Sequence, residues 1–147
     1  MAAGFIVLPD GRCFSRRWSA HDQVLRAVAE AVEATPLRDW LFARLPGPDD
    51  DEELGYGAWH RVADDTCIVR SIDLRRMTPE NQALFCDAAT RAAALPREDA
   101  WLAKWLADLA DMVARAARGE PPMTHSDWGP VVTDPDDGRI GPGWPAP

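Results

Sequence analysis

The apolar positions of the chain change period several times, and the changes mark its elements. Gly4-Phe5-Ile6-Val7-Leu8 is a short continuous apolar run that stops at Pro9-Asp10-Gly11. That triplet is a turn signal, because proline presets φ and glycine accepts the positive φ that closes a turn. Arg12 to Trp18 follows with Cys13 and Phe14 as its apolar content, so residues 4–8 and 12–18 read as a β-hairpin. Val24, Leu25, Val28 and Val32 then recur at helical spacing. They predict a helix over 20–34, opened by Ser19 as cap with an acid, Asp22, in the first turn. Thr35-Pro36 is a second start signal, with threonine as cap and proline at the first helical position. Leu37, Trp40, Leu41 and Leu45 share one face of a helix over 36–45, and Pro46-Gly47-Pro48 ends it.

Residues 56–74 return to a period of two. Tyr56–Val62 and Cys67–Leu74 read as strands over 56–62 and 67–74, joined at the turn Ala63-Asp64-Asp65-Thr66. Ile68, Ile72 and Leu74 are expected to face the core, with Arg70 of the same parity an exception at a crowded or edge position. Thr78-Pro79-Glu80 opens a helix over 79–95 with Leu84, Phe85, Ala88, Ala92 and Leu95 as its buried stripe. A last helix over 97–118 begins with Glu98 and Asp99, where negative charge suits the dipole, and stops at Gly119. Trp101, Leu102, Trp105, Leu106, Leu109, Met112, Val113 and Ala116 form its broad apolar face, with Trp105 and Leu109 at the centre. The expected fold is α+β: a small antiparallel sheet of two hairpins packed against about four helices. Residues 1–118 form the domain, and 119–147 an irregular tail that holds seven of the thirteen prolines and five of the ten glycines. Trp128, Val131, Val132, Ile140 and Trp144 make that tail too apolar to be wholly free, so part of it, about Gly129–Thr133, is expected to lie against the domain.

Composition narrows the function classes. A chain of 147 residues that is 46% apolar folds as one domain of ordinary size. The 24 acids against 16 bases give a net charge of -8, which argues against a non-specific nucleic-acid binder. The excess is local: residues 49–74 carry eight acids and two bases, and the tail carries five acids and one base. Five adjacent carboxylates, Asp49-Asp50-Asp51-Glu52-Glu53, repel one another and belong in solvent, as a solubility loop or as a patch that steers a basic partner. Cys13, Cys67 and Cys86 are odd in number and widely spaced, which argues against a disulfide framework or a zinc ribbon. With no apolar run of about 20 residues and no signal-like N-terminus, a cytoplasmic location is expected.

The chemistry-bearing residues do not assemble into a motif. His21, His60 and His125 have no second ligand at metal spacing. His125-Ser126-Asp127 contains the residue types of a hydrolase triad, but adjacent residues cannot converge as a triad must. Asp134-Pro135-Asp136-Asp137-Gly138 lacks calcium-loop spacing, and no glycine-rich phosphate loop is present. No cofactor is therefore expected. Cys67 or Cys86 with a distant histidine stays open as a thiol nucleophile, against the ordinary reading of core cysteines. Trp18, Trp59, Trp128 and Trp144 lie in strands or irregular chain, where an exposed tryptophan is an effective interface anchor.

The hairpin Phe5-Ile6-Val7-Leu8-Pro9-Asp10-Gly11, followed by helices and then by Ile72-Asp73-Leu74 and Thr78-Pro79-Glu80-Asn81-Gln82-Ala83-Leu84-Phe85, resembles small acidic immunity proteins that bacteria encode beside polymorphic or contact-dependent toxins. The resemblance is one of layout over residues 4–95. It implies a cytoplasmic inhibitor that plugs a toxin's active site. Three classes stay open: a non-enzymatic inhibitor of a basic partner protein, a nucleic-acid mimic of a mobile element, and a small enzyme without a recognisable motif. For the first, the candidate partner-binding residues are Asp49, Asp50, Asp51, Glu52 and Glu53, with Tyr56 and Trp59 as the nearest apolar anchors.

Overall fold

Both strand pairs form, and their inner strands join them into one sheet. The computed structural model describes residues 2–45, 60–61, 68–122, 131–137 and 140. In chain order the elements are β1 (Ala2–Val7), β2 (Cys13–Arg17), α1 (Trp18–Ala31), α2 (Thr35–Phe42), β3 (His60–Arg61), β4 (Ile68–Asp73), a 3-10 turn (Leu74–Arg76), α3 (Pro79–Ala94) and α4 (Ala100–Ala117). The turn between β1 and β2 is closed by Gly11 at φ 90, whose amide donates to the Leu8 carbonyl at 2.9 Å. The α+β class holds, but the sheet is mixed rather than antiparallel. Its order is β2-β1-β4-β3, and β1 runs parallel to β4, with Gly4 opposite Arg70 and Ile6 opposite Ile72. The hairpin signals fix pairing within β1–β2 and within β3–β4. They leave open how the two pairs abut, and the long helical crossover between β2 and β3 brings β4 in parallel.

The pleat gives the sheet two faces with different covers. Ile6, Phe14 and Ile72 point to the helices and join Val24, Leu25 and Val28 of α1, Leu37 and Leu41 of α2, Phe85 and Ala88 of α3 and Leu106 and Leu109 of α4 in the main core. Val7 and Cys13 point the other way, with Phe5 beside them, and Val132 and Ile140 of the tail cover them in a small second cluster.

Side-chain caps explain the starts of α3 and α4, whereas α2 begins at Thr35 itself, with Ala34 in the cap position and no side-chain cap bond. Thr78 Oγ1 accepts from the Asn81 amide at 3.2 Å, and Asp99 accepts from the amides of Trp101 and Leu102 at 2.9 and 3.2 Å. Gly119 at φ 70 follows α4, as expected of a stop. The expected Ser19 cap is not used: α1 starts at Trp18 directly from β2, with Arg17 in the cap position and no side-chain cap bond. Two side chains expected in the core are instead outside it. Leu95 is 55% and Trp101 64% exposed, and Trp105 is half-buried rather than central, while Leu106, Leu109 and Met112 form the buried line of α4. Both exposed residues lie where the chain passes from α3 to α4: Leu95 caps the end of α3 and Trp101 is in the first turn of α4.

Candidate functional site

The acidic run Asp49–Glu53 and its proposed anchors Tyr56 and Trp59 lie outside the described residues, as do Cys67 and His125. Two other groupings of polar and aromatic side chains are described, and each has its own physical logic.

The first is buried between the sheet and the start of α1. Arg70 is fully buried in β4, an interior strand, so of the crowded or edge position expected for it the crowded one holds. The strand register fixes its partner. Opposite it on β1 stands Gly4, and on the far side of Gly4 stands Arg16 of β2. A Cβ at Gly4 would fall inside the His21 ring, so glycine is what lets α1 lay that imidazole against the strand. The Arg70 Nη1 donates to Asp22 Oδ1 at 2.6 Å, and Arg16 Nη2 donates to Asp108 Oδ2 of α4 at 3.0 Å. Arg16 also lies over the Phe14 ring, 4.4 Å from its centroid. The result is a polar layer in which each arginine has its own carboxylate and the histidine sits between them.

Protonation follows from that packing. Burial, reinforced by the Arg70 charge, lowers His21 from 6.5 to about 3. Burial raises Asp22 to about 6, against the pull of Arg70 and Arg26. His21 is therefore neutral and very weakly basic at neutral pH, whereas a general base works best with a pKa near the operating pH. Burial, with Asp87 adding to it, pushes the Cys86 thiol up to about 11, so that group stays protonated rather than nucleophilic. Among the described residues, no group of three His, Cys, Asp or Glu side chains is placed to hold a metal ion. The chemistry this arrangement performs best is structural: one arrangement of α1 on the sheet satisfies the pair, and a slipped register strands a buried charge.

The second grouping is aromatic and exposed. Trp101 stacks on Trp105 with ring centroids 6.3 Å apart and planes 28° from parallel. Around it, Lys104 is tied to Asp108 at 3.0 Å, and the Arg97 guanidinium donates to the Ala92 carbonyl at 3.1 Å. This corner has the residue type that anchors protein interfaces, held rigid by a stacked neighbour.

Electrostatics connect these described parts to the acidic run. Asp10, Asp22, Asp73, Asp108, Asp111, Glu120 and Asp136 are each within salt-bridge distance of an arginine or lysine. Within β4 and the turn after it, Arg70 answers Asp22 and Asp73 answers Arg75. The excess negative charge of residues 49–74 therefore falls on Asp49–Glu53, Asp64 and Asp65, against Arg61 alone.

No family model matches the chain, and no curated protein or solved structure matches it either. The sequence reading missed His21, Asp22 and Gly4 as one cluster with Arg70. The available signal was Arg70 itself: an arginine on the inward parity of a strand needs a carboxylate partner, and Asp22 lies in the first turn of the helix expected over 20–34.

Proposed function

We propose that this chain is a non-enzymatic binding protein that inhibits a partner protein, in the manner of an immunity protein neutralising a bacterial toxin. The observation that carries the reading is the distribution of charge. Outside residues 49–65 the chain carries 17 acids and 15 bases, close to balance, whereas residues 49–65 carry seven acids and one base. A localised field of one sign speeds encounter with a partner of the other sign. The partner is thus a basic protein surface. Asp49, Asp50, Asp51, Glu52 and Glu53 steer it, and Tyr56 and Trp59 supply apolar anchorage close by in the chain. The resemblance in layout to acidic immunity proteins points the same way.

The test begins with isolation of the partner by pull-down. Association rates are then measured for the parent and for a variant with all five acids of the run changed to Asn or Gln. The parent rate should fall as salt rises, because exposed charges are screened beyond about 8–10 Å at physiological ionic strength. The variant should associate slowly at every salt concentration. An association rate that neutralisation leaves unchanged would reduce the run to a solubility loop and remove the basis of the proposal.

A further inference from the structure

The described part of the tail covers the back of the sheet through a small cluster of its own. Val132 and Ile140 are its fully buried side chains, while Val131 and residues 133–136 are exposed. Its cluster with Val7 and Cys13 is separate from the main core, with the sheet between them. Among the described residues, the polar attachments of 131–140 go to turns rather than to strand ladders or helices. At the β1–β2 turn, the Val132 amide donates to the Gly11 carbonyl at 2.7 Å. A Cβ at Gly11 would collide with the Val132 carbonyl. At the 3-10 turn, Arg75 Nη1 donates to the Val132 carbonyl at 2.8 Å. Arg76 Nη2 reaches the Pro135 carbonyl at 2.8 Å and Asp136 at 3.1 Å. The segment also holds its own shape: the Asp137 amide donates to the Asp134 carbonyl, and the Ile140 amide to the Asp137 carbonyl, each at 3.1 Å.

We propose that these tail residues, Val131–Asp137 with Ile140, form a strap that lifts off the sheet as a unit while the helices and the sheet stay folded, and that this opening uncovers the apolar strip of Phe5, Val7 and Cys13. The reasoning is one of connectivity. Among the described residues, lifting the strap breaks two apolar anchors and a few bonds at turns, and breaks none within β1, β2, β4 or the helices. Cooperative units in proteins divide along such lines, with the least anchored opening first. The strap is a gate on a sheet face that the closed form keeps dry. This inference is independent of the binding reading above.

Cys13 reports the opening, because its thiol is buried in the strap's own cluster. The full chain is treated with a small alkylating reagent across urea concentrations well below the main transition, and the label on Cys13 is quantified by peptide mass spectrometry. A strap that opens alone gives a Cys13 rate nearly independent of urea, since little surface is exposed in the event. Ile140→Ala should raise that rate at zero urea by about tenfold or more, while the helices keep the parent's circular dichroism at zero urea. Leu109→Ala should lower the midpoint and leave the Cys13 rate at zero urea unchanged. A Cys13 rate that climbs with urea as steeply as global unfolding, or one that Leu109→Ala raises as much as Ile140→Ala does, would overturn the proposal.

Discussion

Replacing His21 by Phe and, separately, Asp22 by Asn will tilt the pH dependence of stability in opposite directions. The two residues are adjacent in sequence, share the neighbourhood of Arg70, and respond to folding with opposite proton demands. Folding lowers His21 from 6.5 to about 3, so between those values the unfolded chain binds a proton that the native chain does not. That contribution to stability is complete above about pH 6.5 and is lost as pH falls towards 3. Folding raises Asp22 from 3.8 to about 6, so in that window the native chain binds the extra proton. That contribution is complete below 3.8 and is lost as pH rises through 6. One proton is worth about 1.4 kcal/mol per pH unit, and from about pH 4 to 6 the two slopes cancel. In that range His21→Phe leaves the Asp22 slope alone, so stability falls as pH rises. Asp22→Asn leaves the His21 slope alone, so stability rises with pH. The variants should diverge by at most about 2.8 kcal/mol per unit, with a smaller figure expected because the Asp22 carboxyl keeps some contact with water and is screened. Each substitution also shifts absolute stability through lost contacts, which a comparison of slopes ignores. The assay is urea denaturation followed by circular dichroism, repeated at several pH values between about 4 and 6. Parallel slopes for the two variants would refute the reasoning, since they would mean that neither proton is coupled to folding as the buried geometry requires.

Two further predictions concern packing. Leu109→Ala, at a fully buried position of α4, should cost about 2–5 kcal/mol, whereas Trp101→Ala, 64% exposed on the same helix, should stay within about 0.5 kcal/mol, and denaturation midpoints separate them. Gly4→Ala drives a methyl group into the space of the His21 ring and should cost about 1–3 kcal/mol; in a double-mutant cycle, His21→Ala should recover much of that loss.

The helices were legible because their signals are local. Thr78-Pro79 and Asp99 fix two starts through bonds to amides only two or three residues away, and an apolar stripe records which side of a helix is buried. What the sequence could not convey was how far along a helix the neighbouring layer extends. Trp101 has the right side of α4 and the wrong end of it. The same limit hid the sheet's mixed character: Phe5, Ile6 and Val7 form the continuous apolar run of a strand flanked on both sides, but nothing local says whether β4 arrives parallel or antiparallel. Arg70 could be placed only as crowded or at an edge, for a related reason. Its parity points inward, and only the distant Asp22 makes an interior position tolerable. The acidic run was conspicuous as composition, since charge clustering needs no fold to be seen. The tail's apolar residues announced a docking site, and Val132 and Ile140 are buried, but the three arginines that fasten the tail come from turns far away in the chain.

The placement of β1 between β2 and β4 also sets an order of events for a chain made from its N-terminus. The β1–β2 hairpin closes over a few residues and can form early, but it leaves one edge of β1 unpaired. The strand that fills that edge begins 66 positions later, since Ala2 is opposite Ile68. Closing so long a loop, with two helices and the acidic segment inside it, adds a slow non-local step. During that wait the nascent chain presents an open strand edge of strongly apolar sequence. The five carboxylates of residues 49–53 are made before β4, so like charge on nascent copies opposes their association while that edge is open.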